Sequence, residues 1–219
     1  MLHDLEPVER ETTAAIIADR IRARIIDGTF RPGQQLGEVQ LATQLQVSRG
    51  PIREAMQRLI QEGLLRNERH RGVFVVELAD ADVDDLYLAR GAIEHAAAHV
   101  VAARGDEATF AELDAILARM TKAVRAGDWS AVADCDLRFH EAMVLASESK
   151  RLVRMFSTLL SETRMCLTPL EAAYPRREAV VEEHRNLLDA MRAGATDELA
   201  RQLAAHFTHA VDNLVERRG

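Results

Sequence analysis

No apolar run in this 219-residue chain approaches the roughly 18 to 20 consecutive residues of a membrane span. Its two cysteines, Cys135 and Cys166, are too few and too far apart for a disulfide framework or a zinc ribbon, and are expected as small buried hydrophobes in a reducing compartment. Aromatic residues are only 4% of the chain and β-branched runs are few, which points to helix. Internal repeats and low-complexity segments are absent. The opening stretch MLHDLEPVERE is acidic and has no apolar core of the signal-peptide kind, so a cytoplasmic location is expected. What remains, 47% hydrophobic and 29% charged residues, is the composition of a globular protein with room for one or two domains.

The formal net charge of −7 is unevenly divided. Residues 1–78 carry 11 basic and 11 acidic side chains, leaving 17 and 24 for residues 79–219, so the excess of acid lies wholly in the second part. That part is not expected to present a nucleic-acid surface.

The stretch from Gln35 to Val76 is the most structured in pattern. It reads as two short helices followed by two strand-like runs around a basic tip, the order of a helix-turn-helix with a β-wing. Ser48 is a suitable N-cap, Pro51 sits in the first turn where its missing N–H costs nothing, and Gly63 is a natural helix stop. On the helix between them, Ile52, Ala55, Met56 and Leu59 form one stripe, while Arg49, Arg53 and Gln57 form another beside it. The first stripe packs; the second is left for a partner. Two arginines near a helix N-terminus suit guanine edges and phosphates, because the guanidinium fork donates two parallel hydrogen bonds. Leu64–Arg66 and Val73–Val76 are the expected strands, and Arg69, His70, Arg71 and Gly72 between them would follow a phosphate backbone or a minor groove. From Val47 to Arg71 six Arg face three Glu, a local charge of +3. Each arginine alone reads as an ordinary surface residue; cap, spacing, helix stop and basic tip together predict DNA binding.

Before this stretch, residues 12–27 form an amphipathic helix with Ile17, Ile21 and Ile25 in register, stopped by Gly28 and the Arg31-Pro32-Gly33 turn. After it, the β pattern ends near Glu77–Asp80. Six helices are expected at 82–104, 106–126, 128–147, 150–168, 175–193 and 196–217, punctuated by pairs such as Gly105-Asp106 and Gly127-Asp128. Connections this short imply an antiparallel bundle. The expected fold is therefore mainly α, with a winged helix-turn-helix DNA-binding domain over 1–78 and an all-α ligand-binding and dimerisation bundle over 79–219.

Within the bundle, Asp136 and His140 are four apart and share a face with Met143, bordered by Leu137 and Val144. His184 shares its face with Val180, Leu187, Leu188 and Met191, and His206 lies at the edge of a stripe of Leu199, Leu203, Ala210 and Leu214. Buried polar groups without partners cost on the order of 1–3 kcal/mol each, so these four need partners. Either they are hydrogen-bonded core residues, or one divalent cation satisfies them all, in which case three His and one Asp suit zinc, nickel or another late first-row ion. Spacing does not decide whether three separate helices converge. Arg90 and Glu94 border a stripe of Leu86, Ala89, Ile93, Ala97 and Val100; they read as a helix-surface ion pair or, for Arg90, as a bidentate anchor for a ligand carboxylate. His95 and His99 lie opposite the stripe, His209 is turned from its helix's apolar centre, and Asn213 stays near the edge of His206.

The chain resembles the GntR family of bacterial transcription regulators. Over about the first 78 residues the resemblance rests on Gly28-Thr-Phe-Arg-Pro-Gly33, Leu36-Gly-Glu38, Leu41-Ala42, Val47-Ser48-Arg49, Pro51-Ile-Arg53-Glu54-Ala55, Glu62-Gly63-Leu64 and Arg71-Gly72-Val73-Phe74-Val75. It implies DNA contacts at Arg49, Arg53 and Gly72; Gly50, Gln57, Arg69, His70 and Arg71 complete the expected set of DNA-binding residues. Val39 stands where some members carry Arg, and Gly50 where Thr is common, departures that bear on the operator sequence. Residues from about 80 to 217 resemble the FCD ligand domain of the FadR branch in its short six-helix, VanR-like form, through Leu86-Tyr87, Arg90, Glu94, Asp136, Arg138-Phe139-His140, Glu183-His184-Arg185 and His206; Lys150 departs where Asn is frequent. The resemblance implies metal ligation by Asp136, His140, His184 and His206, and an effector contact at Arg90.

The expected function is a homodimeric transcription regulator, a repressor, that binds an inverted-repeat operator in double-stranded DNA and responds to a small organic acid, a carboxylate held at the metal site by Arg90, Glu94 and Asn213. No membrane partner and no catalysis are expected, since no nucleophile motif or general base accompanies the His/Asp group. The competing expectations are a regulator for which the metal ion itself is the signal, and a metal-dependent enzyme.

Overall fold

A computed structural model of the chain describes residues 12–167, 176 and 178–215, the side chains of 213 and 215 excepted. The outer ends of three expected helices, at 168, 175 and 216–217, lie outside the described residues. Contacts divide the chain into one compact unit ending at Glu77 and another beginning at Leu78.

In the first unit, α1 (Thr13–Ile26) starts where Thr12 Oγ1 accepts from Ala15 N at 3.1 Å, and it buries Ile17, Ile21 and Ile25. α2 (Glu38–Leu45) ends at Gln46, whose left-handed backbone, φ 55°, turns the chain into α3 (Arg49–Gln61). Ser48 occupies the N-cap of α3 with extended backbone, but its side chain makes no capping bond, so the cap expected from the sequence is present in backbone form only. The apolar stripe of α3 lies against α1: Ile52, Ala55 and Leu59 are fully buried and Met56 nearly so. Removing a side chain of this size from water contributes roughly 1.5–3 kcal/mol, so this seam fixes how α3 is held. Arg22 of α1 adds a bidentate bond to Glu62 at the end of α3, Nε donating to Oε2 at 2.9 Å and Nη2 to Oε1 at 2.8 Å.

A three-stranded antiparallel sheet completes the unit, in the order β1 (Gln35–Leu36), β3 (Gly72–Val75), β2 (Leu65–Glu68). The register pairs Leu65 with Val75 and Glu68 with Gly72, and on the other edge Gln35 with Phe74. The first strand was not visible in the sequence: two residues are too few for a periodicity of two to register. The hairpin is shifted from expectation, since its first strand runs on through Glu68 and Gly72 already belongs to its second.

The second unit is all-helical: α4 (Asp80–Arg104), α5 (Glu107–Ala126), α6 (Trp129–Ala146), α7 (Lys150–Cys166), α8 (Ala179–Arg192) and α9 (Thr196–Val215). The corners between the first three follow one device. Gly105 and Gly127 take left-handed conformations, φ 60° and 68°, and the aspartate that follows each caps the next helix, Asp106 accepting from Ala108 N and Thr109 N, and Asp128 from Ala131 N. Phe110, Leu113, Leu117 and Met120 of α5, Phe139 and Met143 of α6, and Leu187 of α8 form the core. On α4 the buried face is wider than the expected stripe. It takes in Val83, Tyr87, Arg90, Glu94 and Ala98, because α6, α7, α8 and α9 all pack on it, whereas Val100, expected inside, is 38% exposed.

Candidate DNA interface and metal centre

The turn between α2 and α3 brings Glu38, the first residue of α2, under the N-terminal turns of α3. Arg49 Nη2 donates to Glu38 Oε2 at 3.2 Å, while Arg53 donates through Nε and Nη2 to Oε1 and Oε2 at 3.2 and 3.1 Å. The arginine side chains are 60% and 67% exposed, the glutamate 27%. Glu38 thus grips one edge of each guanidinium and leaves the other N–H groups facing out. The hydrogen bond from Arg53 foremost holds the Glu38 carboxyl below its ordinary range; burial opposes it, and the hydrogen bond from Arg49 adds to the lowering. Gln57 is exposed one turn after Arg53, and a Cβ on Gly50 would meet nothing within 4 Å. Glu38 appeared in the sequence only as part of a motif. Its contacts span 11 and 15 residues, beyond any helical spacing rule.

At the wing tip Arg69, His70 and Arg71 are all exposed, His70 in a left-handed conformation at φ 65°. The Arg71 guanidinium lies over the Phe74 ring at 5.3 Å and pairs with Glu68. Gly72 has a structural reason of its own. Its φ is +108°, and a Cβ there would stand 2.8 Å from Gln35 Nε2, which donates to the carbonyl of Arg71 at 2.5 Å.

In the helical unit Asp136 and His140 of α6, His184 of α8 and His206 of α9 each turn one ligand atom to a common point, all four atoms lying within 4.8 Å of one another. All four residues are buried, His140 and His184 completely. His140 and His206 stack with Nε2 to Nε2 at 3.2 Å, and His184 Nε2 stands 3.2 Å from Asp136 Oδ1 without the alignment of a hydrogen bond. On one ion with bonds of about 2.0–2.1 Å, neighbouring ligand atoms lie about 3 to 3.5 Å apart; the two 3.2 Å separations are of that size, and the full set, within 4.8 Å, would draw slightly inward to close on a single cation.

The other nitrogen of each ring explains why the Nε2 atoms face inward. His140 Nδ1 donates to Glu94 Oε2, His184 Nδ1 donates to the carbonyl of Val180 at 2.7 Å, and His206 Nδ1 donates to Glu183 Oε2 at 3.1 Å. An imidazole whose Nδ1 carries the proton offers its Nε2 lone pair to a metal, the usual arrangement of outer partners around a histidine ligand. The buried, unpartnered Nε2 of His184 and the two opposed Nε2 atoms of His140 and His206 therefore fit a cation between them. Burial by itself favours the neutral forms, but at His184 the Asp136 carboxylate overcomes it and raises the imidazole above its ordinary value; at His206 burial wins. It pushes His206 down to about 4, with the imidazoles of His184 and His140 adding to the effect. The same desolvation acts on Asp136 and is overcome by His184, then His140 and His206, which keep its carboxyl well below the usual range. Glu183 also reaches His209 at 3.6 Å, so that exposed histidine is a neighbour of the outer ring of partners, not a ligand.

Arg90 and Glu94, expected at the border of a stripe, are 1% and 0% exposed. Arg90 Nε donates to Glu94 Oε1 at 2.9 Å, and the guanidinium lies 5.0 Å from the Tyr87 ring and 5.4 Å from the Phe207 ring. Its Nη2 is buried without a partner. The pair is real, but it is interior, and through Glu94 it touches His140 of the four-residue cluster. Tyr87 and Phe207 also form part of an open groove of about 560 Å³ between α4 and α9. The side chain of Asn213 lies outside the described residues. His95 and His99 sit together on the outer side of α4 with ring centres 5.8 Å apart.

Residues 13–75 match the bacterial regulatory proteins of the gntR family, and residues 85–209 match the FCD domain. The chain belongs to the GntR family of transcriptional regulators and carries an FCD domain. It is 29% identical to the HTH-type transcriptional regulator YdhC of Bacillus subtilis over 90% of this chain and 88% of that protein. With the gluconate operon transcriptional repressor of Bacillus licheniformis it shares 26% identity, covering 94% of this chain and 87% of the relative. A crystal structure of a GntR transcriptional regulator from Rhodococcus sp. RHA1 superposes with a TM-score of 0.78 at 30% identity, over 93% of this chain and 97% of that one. These relatives are regulators, not enzymes, and the buried His/Asp group could hold a metal. Among the described residues, no helix is long and apolar enough to cross a membrane.

Proposed function

We propose that the chain works as a cytoplasmic homodimeric repressor that reads a short inverted repeat and is regulated by a small carboxylate bound at a metal centre. The single observation that carries this reading is the four-residue cluster in an FCD domain, with the unpartnered Arg90 Nη2 one residue pair away through Glu94. Asp136, His140, His184 and His206 would hold one divalent ion; three nitrogens and one carboxylate oxygen suit zinc or nickel and leave positions open at a coordination number of five or six. When bound, the ion would supply a Lewis-acidic contact for a carboxylate oxygen, and Arg90 would supply a second, charge-assisted one. One relative is named for a gluconate operon, and gluconate is itself a carboxylate.

On the DNA side, Arg49, Gly50, Arg53 and Gln57 would enter a major groove while Arg69, His70, Arg71 and Gly72 follow the backbone or a minor groove. Two such units related by a twofold axis require a palindromic site. A ligand that favours one arrangement of the dimer shifts operator affinity by its differential binding energy.

The test is fluorescence anisotropy of the full-length protein against duplexes tiling the DNA upstream of its own coding sequence, with random duplex as control and salt varied. Specific binding to one inverted repeat at least ~10³-fold tighter than to random DNA, weakened or strengthened by a carboxylate only when metal is present, is the expected result. Equal, weak binding to every duplex with and without carboxylates would overturn it.

A further inference from the structure

Glu94 stands between two groups with different tasks. It lies one helical turn after Arg90 on α4, and its two oxygens are separately committed: Oε1 accepts from Arg90 Nε at 2.9 Å, and Oε2 accepts from His140 Nδ1 of α6. Nothing of its side chain reaches solvent. The guanidinium it holds is flanked by the Tyr87 and Phe207 rings, which stabilise a cation but accept no in-plane hydrogen bond, and the Nη2 donor remains unused. The carboxylate is therefore shared between a cation whose Nη2 lacks an acceptor and an imidazole that faces the metal position.

We propose that Glu94 is a positioning residue for the metal centre, holding His140 as the Nδ1–H tautomer, and that through it an anion seated on Arg90 tightens the metal. This rests on the reading of Asp136, His140, His184 and His206 as metal ligands. The reasoning is electrostatic. A carboxylate oxygen on Arg90 Nη2 takes up part of the guanidinium's field, which leaves more of Glu94's negative charge to the His140 N–H. A more negative partner on Nδ1 makes Nε2 a stronger donor to a cation. Linkage makes the effect mutual, so the metal tightens the anion by the same factor.

Glu94→Gln keeps the shape and removes the charge. An amide cannot accept from both Arg90 Nε and His140 Nδ1: if its NH₂ faces His140, it forces the proton onto Nε2 and blocks the metal position. Glu94→Asp keeps the charge on a shorter stem. The experiment uses the full-length protein with Co²⁺ as the probe, read by its visible absorption and by competition with a chromophoric chelator, and with far-UV circular dichroism of the metal-free proteins to show that all are folded.

Glu94→Gln is expected to bind Co²⁺ roughly 10–100-fold more weakly with an altered spectrum, and Glu94→Asp to recover part of both. Replacing chloride by acetate at constant ionic strength should raise Co²⁺ affinity about fivefold or more in the wild type, and by less in Glu94→Gln. Wild-type affinity and spectrum in Glu94→Gln would overturn the positioning role. An acetate effect of equal size in both proteins, meaning that acetate ligates the cobalt directly, or no acetate effect in the wild type, would overturn the link to Arg90. A wild-type chain that takes up no cobalt would instead overturn the metal reading, and this inference with it.

Discussion

The Nε2 atoms of His140 and His206 stand 3.2 Å apart while the Nδ1 of each ring already faces a carboxylate, Glu94 for one and Glu183 for the other. With both rings holding their protons outward, two lone pairs oppose one another in a buried site, and only a proton or a metal cation between them relieves the contact. A metal would relieve more, because it would also satisfy Asp136 and the buried Nε2 of His184.

Chelation should therefore lower the melting temperature of the helical unit. A ligand present at a hundred times its Kd stabilises the native state by about 2.7 kcal/mol, and for a unit of this size that is a fall of roughly 5–10 °C when the metal is stripped. Differential scanning calorimetry with and without a chelator measures it; an unchanged transition in the helical unit would speak against a bound ion.

If Arg53 contacts a base edge as proposed, Arg53→Ala should cost at least ~1 kcal/mol of operator affinity and relax sequence preference at one position of each half-site. A uniform loss on operator and random DNA alike would make Arg53 a phosphate contact. Competition anisotropy separates the two.

Gly72→Ala should weaken DNA binding without touching the metal centre. Its φ of +108° is disfavoured for any residue with a Cβ, at a cost of order 1–3 kcal/mol, and the new methyl group would press on the Gln35 amide that ties the wing to β1. Proteolysis at the wing and operator affinity should change together; Co²⁺ binding should not. A variant with wild-type operator affinity would show that this anchor has no bearing on DNA binding.

Glu38 supplies a pH dependence. Its folded-state pKa is depressed by the hydrogen bonds from Arg53 and then Arg49, so the unfolded chain binds a proton at this position more readily than the folded one. The stabilising contribution of the pair is present above the unfolded value, about 4.5, and is lost as pH falls through the depressed folded value. Carboxyl carbon shifts followed by NMR should show Glu38 titrating below an ordinary glutamate, and the Arg53→Ala variant should move it back up; titration at the ordinary value in the wild type would contradict the observed grip.

Much of this architecture was legible in the sequence where one element carries the whole signal. The buried stripe of Ile52, Ala55, Met56 and Leu59 needs only the helical period, and the Gly105-Asp106 and Gly127-Asp128 corners need only the chemistry of helix ends. The site was legible in part. Asp136 and His140 share a face by spacing, but their meeting with His184 and His206 depends on how three helices pack, and there only the family resemblance pointed to it. The outer partners were harder still. Glu183 adjoins His184 in sequence, yet successive helical residues diverge by about 100°, so it turns instead to His206 and His209 on α9. The grip of Glu38 on Arg49 and Arg53 and the two-residue strand β1 escaped for the same reason: both arise from tertiary packing between segments that no local rule connects.

The most direct test is the metal content of the purified full-length chain beside that of a His206→Ala variant, measured by elemental analysis after dialysis against micromolar zinc and removal of free ion. The structure predicts about one divalent ion per chain in the wild type, as expected for a four-ligand site, and a large loss in the variant while its helical circular dichroism is kept. Equal metal in both proteins, or none in either, would contradict the assignment of Asp136, His140, His184 and His206 as one metal centre.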